Sequence, residues 1–268
     1  MSDLAERAAG LLGSTVAETR PFAGGSLSSV EFLRLDDGRE MLAKSGPSPR
    51  AEARMLQAIR AAGVPAPEVF AADGVVLAIE RLPDDGGLSL AWADLGRIVR
   101  TLHEKTGEAY GWEDDYAFGK LAITNTFSDD WPRFYAENRL LAAARGTGAD
   151  VERRVEALCG RLGDLLPRRP RPSLLHGDLW SGNVLASNGR ISGLIDPACY
   201  YGDGEIDIAM LGLFARPTTA FFDAYGPLSA GHRERAPVYA LWPALVHLNL
   251  FGAGYRGMVE GYLAEAGF

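Results

Sequence analysis

The apolar residues change their period once along this chain, at the stretch "LPDDGG" (Leu82 to Gly87), and that switch limits the folds open to it. Before the switch, apolar residues alternate or bunch over four to eight positions in "TVAETRPF", "VEFLRL", "EMLAKS", "PEVFAA" and "VVLAIERL". Turn residues such as "DDGR" and "DG" separate these runs, the pattern of short antiparallel strands. A single helix interrupts them, "PRAEARMLQAIRAAG", with Ala53, Leu56, Gln57 and Arg60 at helical spacing and Gly63 as the stop signal. After the switch Trp92, Leu95, Ile98, Val99 and Leu102 recur every three or four residues. "WPRFYAENRLLAAARG" and "ADVERRVEALCGRLGDLL" continue as helices, "PRRPRP" is a rigid connector, and a short strand pair flanks "SNGR". The expected fold is α+β with two lobes. Residues 1–83 form a small antiparallel sheet with one main helix, and residues 84–268 form a larger, mostly helical lobe.

The 268 residues carry a formal net charge of -8, which disfavours nucleic acid and anionic membranes as partners. Cys159 and Cys199 are the two cysteines, without Cys-x-x-Cys spacing, so neither a disulfide scaffold nor a zinc cluster is expected. "MSDLAERAAGLLG" reads as an amphipathic, acid-bearing helix rather than a signal segment. No run approaches the roughly 20 apolar residues of a membrane span. A reduced, cytoplasmic, soluble protein is expected; no feature fixes its oligomeric state, and a monomer is compatible with it.

The stretch "LLHGDLWSGNVL" places Asp178 on a glycine-loosened loop and Asn183 five residues later. Asp196 ends the apolar run of "GLIDPACY" 13 residues further on. A carboxylate that orients a hydroxyl, followed by amide and carboxylate oxygens suited to Mg²⁺, is the order of groups in phosphoryl transfer from ATP. Upstream, Lys44 lies on the third strand-like run, where a phosphate-pairing lysine belongs, and Glu52 on the next helix can hold it. Gly24, Gly25 and Ser26 begin a glycine-rich loop whose N–H groups can cover phosphates, and Glu80, Arg81 and Leu82 stand where a hinge offers backbone groups to adenine. Taken singly, a hairpin glycine pair or a surface Lys–Glu pair has an ordinary structural explanation. All five features in this order point to ATP and Mg²⁺ as cofactors. His176 is expected to brace the loop and His103 to be packed. Asp203 and Glu205 suit the start of a helix, and Asp207 is placed to anchor the backbone of the catalytic loop.

"HGDLWSGNV", "DPACYYGDGEIDIAML" and "HLNLFGAGY" together resemble the fructosamine kinases, or ketosamine-3-kinases, of the aminoglycoside-phosphotransferase and choline-kinase branch of the protein-kinase-like fold. "YGWEDDYAFG" and "NTFSDDWPRFYAENRL" extend the resemblance over most of the chain. It implies Asp178 as catalytic base, Asn183 and Asp196 as Mg²⁺ ligands, Lys44 with Glu52 as the phosphate-positioning pair, and Glu80 to Leu82 as the hinge. It implies that Trp180, with Asp178, shapes the sugar pocket. The implied reaction moves the ATP γ-phosphoryl to the 3-hydroxyl of a sugar–amine adduct, which then falls apart and frees the amine. Two positions depart from the family: Ile123 replaces a frequent Gln two residues before Asn125, and "ARP" follows "AMLGLF" where glycines are usual. The glycine-rich loop also lacks the cysteine that some relatives carry, so redox switching there is not expected.

Between Glu104 and Asp130 there are seven acids and two bases, a surface that attracts a protonated amine. A cationic sugar–amine is the expected substrate; an aminoglycoside or other amino-sugar kinase fits the same charge. A nucleotide-binding pseudokinase would be marked by loss of Lys44, Asp178, Asn183 or Asp196, and all four are present.

Overall fold

Helix α1 (Asp3–Leu11) opens the chain, and strands β1 (Val16–Pro21), β2 (Val30–Leu35) and β3 (Glu40–Ser45) follow. Helix α2 (Pro49–Ala61) leads to β4 (Val69–Ala72) and β5 (Val76–Ile79). Then come α3 (Trp92–Glu104), β6 (Tyr116–Phe118), β7 (Leu121–Ile123), α4 (Trp131–Tyr135), α5 (Ala142–Ala144), α6 (Ala149–Cys159) and α7 (Leu162–Leu165). Strands β8 (Ser173–Leu175), β9 (Val184–Ser187), β10 (Arg190–Leu194) and β11 (Tyr200–Gly202) precede α8 (Glu205–Phe214), α9 (Thr219–Tyr225), α10 (His232–Phe251) and α11 (Arg256–Glu265). This computed structural model describes residues 2–22 and 28–268; Gly24, Gly25 and Ser26 of the expected phosphate loop lie outside the described residues. No helix among those described is long and apolar enough to cross a membrane.

The chain divides into two units. The first comprises residues 1–91 and 183–197, and is built on an antiparallel sheet of order β1-β2-β3-β5-β4. Side chains on a strand alternate between faces, so Met41 and Ala43 meet the alanine face of α1 (Ala5, Ala8, Ala9) with Leu33, Leu35, Val76 and Ala78. Each large side chain buried there stabilises the fold by about 1.5–3 kcal/mol. Lys44, one residue on, points to the opposite face, where it reaches Glu52 on α2. Helix α2 begins with Pro49 and has Glu52 in its first turn, both favourable at an N-terminus. Its buried residues include Glu52, Ala53, Met55, Leu56 and Ile59; of the positions expected from the periodicity Ala53 and Leu56 are buried, whereas Gln57 and Arg60 are exposed. Gly63 takes φ +81° just past the helix end, as its stop role requires.

The division differs from a boundary at residue 83. Asp85 N–H donates to the Ala186 carbonyl (3.0 Å), Asp85 Oδ2 accepts from Ser187 Oγ and Asn188 N, and Ser192 Oγ donates to the Pro83 carbonyl. The polar "PDDGG" stretch is therefore stitched onto the β9–β10 hairpin, which joins the first unit although it lies a hundred residues later in the chain. That hairpin turns at Asn188 and Gly189, both at positive φ (54° and 71°), the backbone that matches the twist of a tight antiparallel pair.

The second unit, residues 92–182 and 198–268, is mostly helical, with β8 paired to β11 and β6 to β7. Helices α3 and α9 approach closely at Gly96, where a Cβ would lie 2.3 Å from the Phe221 carbonyl oxygen. The expected helix "WPRFYAENRLLAAARG" forms, but its middle, Ala136–Leu141, is wound as a π-helix. Alanine gains about 1 kcal/mol over glycine in helix propensity. Collision with a backbone oxygen outweighs that gain, so Gly96→Ala should destabilise the protein by about 1–3 kcal/mol in denaturant unfolding. An unchanged midpoint would mean that the two helices do not meet so closely.

Candidate active site

In the first unit the site is organised around a buried ammonium group. Lys44 is 5 % exposed, and its Nζ lies 2.7 Å from Glu52 Oε1 and 2.6 Å from Asp196 Oδ1. Burial alone would lower the pKa of Lys44, but the two carboxylates outweigh it and hold the amine above its ordinary value, hence charged. Removing one partner from such a buried pair costs about 3–5 kcal/mol, because the remaining charge is left uncompensated. Glu52 is itself buried, so its charge is committed to Lys44, whereas the half-buried Asp196 retains access to solvent.

Asp196 follows β10 with φ 54°, a left-handed conformation uncommon for a residue with a side chain. Such local strain clusters at functional sites. The Ile195 N–H donates to the Asn183 carbonyl (3.0 Å), which brings the segments bearing Asn183 and Asp196 side by side at the base of the hairpin. Oxygen donors of this kind fit Mg²⁺, which takes one or two protein carboxylates and leaves its other positions to water and phosphate. Among the described residues no group of three or more His, Cys, Asp and Glu side chains could hold a metal ion.

Glu80, Arg81 and Leu82, the residues expected to form the hinge, lie in the same unit. Glu80 pairs with Glu68 through its backbone N–H (2.9 Å), and Arg81 is set over the rings of Phe22 (5.7 Å) and Phe32 (5.8 Å). Leu82 packs on Gly193 of β10, where a Cβ would come within 2.3 Å of its Cδ1. Lys44, its two carboxylates, Asn183 and the segment 80–82 that follows β5 thus belong to one unit.

Asp178 belongs to the other, on the loop that leaves β8. Both carboxylate oxygens of the buried Asp207 hold this loop: Oδ2 accepts from His176 N (2.7 Å) and Oδ1 from Gly177 N (3.0 Å). His103 Nε2 lies 3.1 Å from Asp207 Oδ2 and its Nδ1 2.9 Å from the Tyr225 hydroxyl. His103 is therefore packed, and it orients the anchor. The Asp178 N–H donates to His176 Nδ1 (3.3 Å), so His176 braces the loop with that nitrogen unprotonated. Gly177 takes φ +79°, and a Cβ there would lie 2.0 Å from the Ala198 carbonyl oxygen. The loop is drawn in by buried Gly177 and Leu179, which leaves Asp178 between them half-exposed. Five residues beyond Asp178, the same loop delivers Asn183 to the first unit.

Trp180 is 36 % exposed and meets the Phe214 ring edge-on at 6.0 Å. Phe214 in turn contacts His247 (5.0 Å), which lies against Phe251 (5.5 Å) and Tyr255 (5.1 Å). Burial lowers the pKa of His247, which keeps it neutral at pH 7. Sequence reasoning named Trp180 but not this row. The four-residue spacing of His247, Phe251 and Tyr255 within "HLNLFGAGY" was its signal. Asp203 accepts from the Tyr239 hydroxyl (2.7 Å) and Glu205 pairs with Arg235 (2.7 Å), so these two acids have specific partners beyond a helix-end role. Burial pushes the Cys159 thiol up to about 12 and Cys199 well above its usual range, so neither is a thiolate at neutral pH.

The model of one family, described as fructosamine kinase, matches residues 15–266. A protein named as a ketoamine kinase from Synechocystis sp. is 38 % identical over 201 residues, 70 % of this chain and 66 % of that protein. A chloroplastic protein-ribulosamine 3-kinase of Arabidopsis thaliana is 37 % identical over 195 residues, 67 % of this chain and 60 % of that one. These alignments span a little under two thirds of each relative's length. A Thermobifida fusca protein solved as a fructosamine-3-kinase superposes with a TM-score of 0.89 at 33 % identity, covering 98 % of both chains. An aminoglycoside phosphotransferase crystallised with ADP and hygromycin B shares the fold at 17 % identity and a TM-score of 0.65.

Asp207→Asn should place an amide N–H₂ against one of the two buried loop amides. An unpaired buried polar group costs about 1–3 kcal/mol, so the melting temperature should fall together with turnover. A variant with both unchanged would show that the loop does not depend on this carboxylate.

Proposed function

Since this chain belongs to the fructosamine kinase family, we propose that it is an ATP- and Mg²⁺-dependent cytoplasmic kinase acting on a ketosamine such as a fructosamine or ribulosamine. Phosphorylation of the 3-hydroxyl makes the adduct labile and releases the amine, the chemistry of deglycation. The observation that carries this reading is the clasp of Lys44 between Glu52 and Asp196 in the fold unit that also holds Asn183 and the segment 80–82.

On this reading Asp178 orients the acceptor hydroxyl and takes its proton as the oxygen attacks the γ-phosphorus. The new P–O bond forms, the bond to the β-phosphate oxygen breaks, and ADP leaves with that electron pair. Lys44, fixed by Glu52, pairs with phosphate oxygens. Asn183 and Asp196 would hold Mg²⁺, which supplies charge neutralisation at the phosphates when bound. Trp180 lines the acceptor side, and the acid-rich stretch from Glu104 to Asp130 favours a protonated amine. That charge also suits an aminoglycoside acceptor, which is the second reading.

Asp178→Asn should lower turnover by at least about 1,000-fold with ATP affinity and melting temperature near wild type, because only the proton acceptor changes. Wild-type-like turnover would remove its role as base. Lys44→Ala and Asp196→Ala should each reduce kcat/KM for Mg·ATP by on the order of 100-fold, and unchanged dependence on Mg·ATP would remove those assignments. Turnover compared on a fructosamine, a ribulosamine and kanamycin separates the two acceptor readings; preference for kanamycin overturns the first.

A further inference from the structure

Arg139 is fully buried; among the described residues no carboxylate makes an ion pair with it, and Asp115 acts on its charge only from beyond contact. Its guanidinium lies over the rings of Tyr200 (3.9 Å), Phe134 (4.9 Å) and Trp242 (5.2 Å). Nη1 donates to the carbonyls of Thr124 (2.8 Å) and Asn138 (3.0 Å), and Nη2 to Asn125 Oδ1 (2.7 Å). A cation stripped of water without an anion in contact is expensive to keep, and simple packing would be served as well by a methionine. The residue also stands inside the π-helical turn, a rare winding found frequently at functional sites.

Two routes lead from this guanidinium to the loop of Asp178, both within the second unit. The direct one runs through Tyr200, which is paired with Leu175 on β8, the residue before His176. The other runs through Asn125. Its Nδ2 donates to the Asp114 carbonyl (2.9 Å), its N–H donates to Asp115 Oδ1 (2.7 Å), and its carbonyl accepts from Trp112 N (2.9 Å). The segment so held is bonded to β11 through Gly111 and Tyr201 in both directions (3.0 and 2.8 Å), and Trp112 lies against the Tyr201 ring at 5.5 Å. Both routes converge on β11, and β11 is the partner of the strand that delivers Asp178.

We propose that Arg139 is a positioning residue for phosphoryl transfer: one buried guanidinium clamps β11 from its Tyr200 face and through the Asn125-braced segment, and so fixes the loop that presents Asp178. This rests on the assignment of Asp178 as base. A displaced base reduces turnover without touching nucleotide binding.

The test uses the full-length Arg139→Met, Arg139→Lys and Asn125→Ala proteins, with two readouts. In steady-state kinetics on a fructosamine, Arg139→Met should lose at least about 10-fold in kcat per mole of folded enzyme while KM for ATP stays within about two-fold, and Arg139→Lys should recover part of the loss. In native-state hydrogen exchange, which needs no acceptor, the amides of His176 and Gly177 should exchange at least about 10-fold faster than in wild type, while those in the middle of α10 are unchanged. Should Arg139→Met fail to fold, Asn125→Ala, which leaves the cationic cage in place, should show the same local loss of protection. Folded variants with lowered melting temperature but wild-type kcat would overturn the proposal, as would unchanged exchange at His176 and Gly177. If wild-type enzyme does not turn over any ketosamine, the acceptor reading fails, and the exchange measurement still decides the role of Arg139.

Discussion

A charged ammonium group cannot remain buried unless anions replace the water it has lost, and the first unit is arranged around that requirement at Lys44. Its strand register points the side chain away from the apolar face shared with α1, toward α2. Glu52 supplies one anion from the first turn of α2, where the helix dipole also favours a carboxylate. Asp196 supplies the other from the end of β10, so the hairpin and the sheet have to sit in one unit for the lysine to be satisfied. The stitching of residues 83–85 to that hairpin holds the arrangement from a second side.

The same logic, with the charge reversed, governs the second unit. Asp207 is buried, and its carboxylate is kept there by two backbone N–H groups and an imidazole. Those N–H donors belong to the loop of Asp178, so satisfying the buried carboxylate and shaping that loop are one event. Gly177 is required because its left-handed backbone presses on the Ala198 carbonyl, where no side chain fits. Each unit thus holds part of the expected chemistry by compensating one buried charge, and the chain passes from one to the other between Asp178 and Asn183.

Much of this was legible in the residues. The period switch separates strands from helices, Gly63 and the Asn188–Gly189 turn fall where their backbone demands, and Lys44, Glu52, Asp178, Asn183 and Asp196 stand out by type and order. Arg139 was not legible, since an arginine on a helical run reads as solvent-facing until the π-turn and the three rings around it are seen. Nor was the row from Phe214 to Tyr255, because aromatic residues at helical spacing usually mean core.

The sequence by itself determined which groups are present and the local structure each rides on, because propensity, hydrophobic period and turn chemistry act over a few residues. Only the tertiary structure decided that Lys44 pairs with a carboxylate 152 positions away. It alone decided that the "PDDGG" stretch closes on a distant hairpin rather than marking a boundary, and that a buried arginine reaches β11. Those outcomes depend on which charges and backbone groups lose water together, and that is set by the packing of segments remote in the chain.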